Sequence, residues 1–146
     1  MKKNKENDKV TVSLSLKDDS ETKKIWNFTF ELIYKITLHK FKLDIDLTVI
    51  NFGMDSFDFT LLFHTYFRVD DIENFELETL RGCEYVDLVQ VGCLENETNR
   101  VLKIGDECDR VYQNTPNTLK LIVNKAKKTI ELKKKNLTDT GIYMFN

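Results

Sequence analysis

The stretch Leu62-Phe63-His64-Thr65-Tyr66-Phe67-Arg68-Val69-Asp70-Asp71-Ile72 gathers the side chains best suited to chemistry on a polar molecule. It holds one of the chain's two histidines. The run around it is apolar, β-branched and aromatic, without Pro or Gly, which predicts a buried strand over 57–69. Successive side chains of a strand point to opposite faces. Leu62, His64, Tyr66 and Arg68 then share one face, and Phe63, Phe67 and Val69 the other. An imidazole can give up a proton and recover it near neutral pH, and a guanidinium attracts a phosphate. The same pattern also fits a histidine satisfied by a neighbouring backbone carbonyl, with no chemistry to perform.

The elements that must position this row read as β-structure throughout. Val10, Val12, Leu14 and Leu16 alternate with Thr11, Ser13 and Ser15, a half-buried strand of period two. Phe28, Phe30, Leu32, Tyr34, Ile36 and Leu38 fall on one face. After a turn near His39-Lys40, Phe41, Leu43, Ile45, Leu47 and Val49 do the same, so the pair predicts a long antiparallel hairpin. Shorter strands are expected at 75–78, 85–91, 118–123 and 129–132. The last two form a hairpin around Asn124-Lys125-Ala126-Lys127-Lys128, and a turn at Gly105-Asp106-Glu107 presents Asp109-Arg110-Val111-Tyr112. No stretch of ten or more residues keeps a 3.6-residue apolar period. The expected class is all-β, an antiparallel sandwich or barrel of roughly ten short strands.

At 146 residues, 41% hydrophobic and 11% aromatic, the chain suits one globular domain burying about two-thirds of its surface. Residues 1–9, mostly Lys, Asn, Glu and Asp, read as a disordered leader, and 10–146 as the folded part. A net charge of −2 argues against a nucleic-acid partner. No apolar run approaches a membrane span and no signal core follows Met1, so a cytoplasmic protein without a membrane partner is expected. Cys83, Cys93 and Cys108 are odd in number and form no CxxC pair, which indicates neither a disulfide framework nor a zinc site. The chain closes on the apolar run Ile142-Tyr143-Met144-Phe145, which suggests an open sheet edge and a possible route to self-association.

His64-Thr65-Tyr66-Phe67-Arg68-Val69 with Asp70 and Ile72, followed later by Asp109-Arg110-Val111-Tyr112-Gln113-Asn114-Thr115-Pro116, resembles the hexose-6-phosphate mutarotase branch of the aldose 1-epimerase family. Thr22-Lys23-Lys24-Ile25-Trp26, Leu80-Arg81-Gly82 with Tyr85-Val86-Asp87, and Asn136-Leu137 before Asp139 extend the likeness from about Val10 to Asn146. The resemblance implies a β-sandwich of the galactose-mutarotase type that interconverts the anomers of a hexose 6-phosphate without metal or organic cofactor. It makes His64 the general acid at the ring oxygen and Asp109 an acceptor for sugar hydroxyls. Arg110 is then either a substrate-positioning residue or the ion-pair partner of Asp109. Arg68 either helps attract the phosphate or pairs with Asp70 or Asp71. Tyr66 packs on the sugar or into the core, the core being the expected place. Lys133-Lys134-Lys135 reads as a solvated strand end.

Members of that family also carry arginine segments that clamp the phosphate before this stretch, and a glutamate base after it. No residue here takes those roles by resemblance. The expectation is therefore the middle portion of a mutarotase, incomplete at both ends and weak or inactive by itself. The competing expectation is a non-catalytic carbohydrate-binding or interaction sandwich that kept the scaffold.

Overall fold

In the computed structural model, residues 2–6, 8–90, 92–105, 107–123 and 128–144 are described, the first five by their backbone. Two compact units follow one another along the chain, Met1–Phe63 and His64–Asn146.

The first unit is built on one antiparallel sheet, β1 (Lys2–Glu6), β2 (Lys9–Lys17), β3 (Phe30–His39) and β4 (Leu43–Asn51), in that order. Register shows why these residues pair. Val10 opposes Leu38, Val12 opposes Ile36, Leu14 opposes Tyr34 and Leu16 opposes Leu32. Leu38, Ile36, Tyr34 and Leu32 in turn oppose Leu43, Ile45, Leu47 and Val49. A slip of one residue would send this whole apolar set to the other face, so the register is strongly specified. The opposite face is polar, with Thr11 beside Thr37 at 3.2 Å, Ser15 donating to Glu31, and Lys35 3.9 Å from Asp46. The turn expected near His39-Lys40 is present, closed by the His39 amide donating to Lys42 and by the His39 ring 3.0 Å from Asp44. Residues 2–6, within the stretch read as a disordered leader, form β1, which runs antiparallel along Lys9–Ser13. Between β2 and β3, a single helical turn α1 (Thr22–Ile25) leads to Trp26, whose ring contacts Phe28, Phe30 and Phe57 at 5.3, 4.9 and 4.5 Å.

The second unit is a β-sandwich. One sheet has the order β11 (Lys128–Lys133), β10 (Thr118–Val123), β5 (Glu76–Glu78), β8 (Val101–Leu102); the other has β12 (Thr140–Met144), β9 (Cys108–Tyr112), β6 (Glu84–Asp87), β7 (Cys93–Asn96). All pairings are antiparallel. Leu77, Leu102, Leu119 and Leu121 of the first sheet meet Tyr85, Cys108 and Tyr112 of the second in one buried cluster, with Leu80 and Ile104. Gly82, at φ +85°, turns the chain into β6 and donates its amide to Glu97. The all-β, antiparallel class read from the sequence is what the chain adopts.

Three local expectations need correction. Asp109–Tyr112, for which the sequence pattern predicts no strand, forms most of strand β9. β7 was not anticipated, because all four of its residues are exposed and it carries no apolar alternation. Lys134 is not a solvated strand end. Its ammonium sits among Thr115 Oγ1, the carbonyls of Thr138 and Asp139, and Thr140 Oγ1, and burial lowers its pKa. It ties the start of β12 to the turn before β10. The tip of the β10–β11 hairpin, 124–127, lies outside the described residues.

Candidate functional site

The segment 57–69 lacks the strand expected of it, and keeps the expected facing only at Phe63, Phe67 and Val69 against His64, Tyr66 and Arg68. Among the described residues it joins no hydrogen-bonded ladder. Four of its odd-numbered apolar residues are nevertheless held in place, while Phe59 and Leu61 are exposed. Phe57 packs on Trp26 and Phe28, and Phe63 stacks on Tyr34 at 6.4 Å. Phe67 and Val69 pack on the core of the sandwich. Side-chain periodicity reports which residues face inward, whereas a strand also needs a neighbour offering N–H and C=O groups, and that is a tertiary property. Asp71 ends the segment, accepting from the Glu73 amide at 3.1 Å and the Asn74 carboxamide at 2.7 Å, as a turn residue does.

With Phe63, Phe67 and Val69 turned inward, His64, Tyr66 and Arg68 are exposed. The His64 and Tyr66 rings lie 4.8 Å apart at 33°. Tyr66 is 85% exposed, which corrects its expected place in the core. Arg68 shares the wall of a hollow of about 350 Å³ with Asp70, Val123, Lys128 and Ile130. Two cationic side chains on an apolar floor suit an anion, and the Asp70 carboxylate offsets part of that charge.

Asp109 and Arg110 are neighbours on β9 and therefore face opposite ways. Cys108, Arg110 and Tyr112 have the same parity, and Cys108 and Tyr112 belong to the core. Asp109, half-buried, stands on the other face of the sheet, opposite Tyr143 in the register. The Arg110 guanidinium is turned to Asp87, Nε to Oδ2 at 2.9 Å, and lies 4.0 Å from Glu97 and 4.8 Å over the Tyr85 ring. The expected Asp109–Arg110 ion pair is thus replaced by Arg110 with Asp87.

The network behind Arg110 was missed. Asp87 and Glu97 are buried carboxylates. Glu97 accepts from Tyr112 O–H at 2.9 Å and from the Asn99 amide and carboxamide, while Tyr85 donates to Glu95 at 2.7 Å. Burial pushes the Asp87 carboxyl up, but the Arg110 bond and the amides of Gln90 and Val89 outweigh it and hold it below its ordinary value. Desolvation and the bond to Glu95 push the Tyr85 phenol up to about 12. Tyr85-Val86-Asp87 carried part of this signal; Glu97, inside a polar run, carried none.

The whole chain, residues 1–146, matches the family model described as aldose 1-epimerase. The chain belongs to the aldose 1-epimerase family. It is 30% identical over 139 residues to a Cenchrus ciliaris protein described as "Putative glucose-6-phosphate 1-epimerase", covering 92% of this chain and 42% of that protein. To an Escherichia coli (strain K12) protein of the same description it is 32% identical over 107 residues, 73% of this chain and 34% of the relative. Both agree with the branch to which the two motifs point. The fold matches that of a Salmonella typhimurium protein described as "a putative mutarotase (YeaD)", with a TM-score of 0.76 at 20% identity over 96% of this chain and 45% of that one. The chain thus spans less than half the length of each of these relatives.

Proposed function

We propose that this chain takes part in the interconversion of the α and β anomers of a hexose 6-phosphate, with His64 as general acid. The observation that carries the reading is the exposure of His64 beside Tyr66 on the outward face of 63–69, in a chain of this family. Ring opening requires a base to take the proton of the anomeric hydroxyl while an acid protonates the ring oxygen. The open aldehyde then rotates about its bond to C2, and the ring closes on its other face. His64 supplies the proton to the ring oxygen and recovers it on closure. Asp109 accepts hydrogen bonds from sugar hydroxyls and fixes the ring. Arg68, with Lys128 across the hollow, attracts the phosphate. The two relatives described as glucose-6-phosphate 1-epimerases support glucose 6-phosphate as the substrate to try first.

Each positioned proton-transfer group is worth on the order of 10²–10⁴ in rate. No residue of this chain holds the role of base by resemblance, so its own anomer exchange is expected to be slow, because such groups act as a unit. The test is exchange between the anomers of glucose 6-phosphate followed by saturation-transfer NMR. A small excess over buffer that vanishes in His64→Ala supports the reading. An excess that survives in His64→Ala, or an exchange equal to buffer from folded protein, contradicts catalysis by this chain through His64. The second outcome favours a carbohydrate-binding role.

A further inference from the structure

Asp87 stands at the end of β6, directly opposite Arg110 on β9. Its Oδ2 accepts from Arg110 Nε at 2.9 Å, and its Oδ1 accepts from the amides of Val89 and Gln90 at 3.0 and 3.1 Å. Its own carbonyl receives the Gly92 amide at 2.8 Å, and residues 88–90 form a turn. From that turn the Leu88 amide reaches back to the carbonyl of Asp109, also at 2.8 Å. The contacts form a closed circuit: Arg110 holds Asp87, Asp87 shapes the turn, and the turn holds the backbone of Asp109, the residue preceding Arg110.

We propose that Arg110 is a positioning residue of the sugar site, acting through Asp87 and the turn residues 88–90 to fix the Asp109 carboxylate on the opposite face of the sheet. This rests on the reading of Asp109 as the acceptor for sugar hydroxyls. Arg110 itself touches no sugar: its guanidinium is committed to Asp87, with Glu97 and the Tyr85 ring beside it. A planar fork is what this place requires. It can bond Asp87 edge-on, face Glu97 with another N–H and stack on Tyr85 at the same time, whereas a lysine ammonium is a single point charge. Without the guanidinium, the buried carboxylates Asp87 and Glu97 would keep their neutral donors and lose the one positive charge within 4.0 Å of both. The turn would then lose its side-chain anchor on β9 and keep only the backbone bond from Leu88 to Asp109. Ligand-positioning groups tolerate little displacement, so a loosened Asp109 weakens its hold on the sugar.

The test compares Arg110→Gln, Arg110→Lys and, as a destabilised control in the other sheet, Leu119→Val. Deuterium exchange is followed amide by amide, and glucose 6-phosphate affinity by NMR titration. In Arg110→Gln the amides of Leu88, Val89 and Gln90 are expected to exchange about tenfold faster or more, with those of Leu119 and Leu121 unchanged, since a charge-assisted buried bond is lost locally. Affinity is expected to fall about tenfold, corresponding to one decade of Kd. Arg110→Lys lies between, and Leu119→Val keeps the wild-type affinity. Wild-type affinity in Arg110→Gln, or faster exchange shared equally by both sheets, overturns the proposal. Local loosening in Arg110→Gln together with no binding by the wild type overturns the reading of Asp109, and with it the positioning role.

Discussion

The imidazole of His64 and the ring of Tyr66 lie 4.8 Å apart, tilted by 33°. They are two residues apart on an extended segment, so their contact follows from strand-like alternation even though the segment belongs to no ladder. What anchors the pair is the inward set, with Phe63 on Tyr34 and Phe67 and Val69 on the sandwich core. The histidine is held in an exposed row by apolar side chains of the opposite parity, with an aromatic neighbour limiting its orientations from one side.

A histidine exposed in this way contributes little to the fold. His64→Ala is expected to change stability by no more than about 0.5 kcal/mol, the usual range for a surface substitution. Thermal unfolding followed by circular dichroism checks this. A loss of several times that size would mark His64 as a structural residue.

The Asp87 carboxyl is held below its ordinary value of 3.8, burial being outweighed by Arg110 and two turn amides. A group whose pKa is depressed on folding adds stability that is present above its unfolded value and is lost as pH falls through the folded one. Wild-type protein is therefore expected to melt higher than Asp87→Asn at neutral pH, and the gap to narrow as pH falls below about 4. Melting curves of both proteins from neutral to strongly acidic pH decide it; a gap that stays constant contradicts the ionised pairing.

Tyr112 is fully buried, and its hydroxyl donates to the buried Glu97 at 2.9 Å. Tyr112→Phe keeps the ring and deletes the donor, leaving a buried carboxylate one partner short. The expected loss is about 1–3 kcal/mol, measured by urea unfolding. Glu97→Gln in the same background should recover part of it, because a neutral carboxamide needs less compensation.

Much of this was legible in the sequence, and the residues that were not share a cause. The alternation of Val10 to Leu16 and of Leu43 to Val49 named two strands and the side chains that meet across the ladder, because parity sets register there, although Leu14, Leu16 and Leu43 stay exposed. In 63–69 parity again named the faces but not the missing ladder, which depends on a neighbouring strand. The fate of Arg110 follows from its parity with Cys108 and Tyr112 once 108–112 is known to be a strand. Its partners Asp87 and Glu97 lie 23 and 13 positions away in sequence, on other segments, and no local pattern links them to it. Lys134 was misread because only the turn formed by 134–140, together with Thr115 from another segment, gathers oxygens around its ammonium, and composition marks it only as one of three lysines.

The most direct measurement is an NMR titration of the isotope-labelled chain with glucose 6-phosphate, following the His64 ring and the backbone amides. Saturable changes at the His64 ring, at Thr65 and Tyr66 and at Asp109 are expected at a common affinity, weakened in Asp109→Asn and absent for glucitol, which has no anomeric centre or phosphate. Saturable changes confined to other parts of the chain, or none at all, would contradict a sugar phosphate site built on His64 and Asp109.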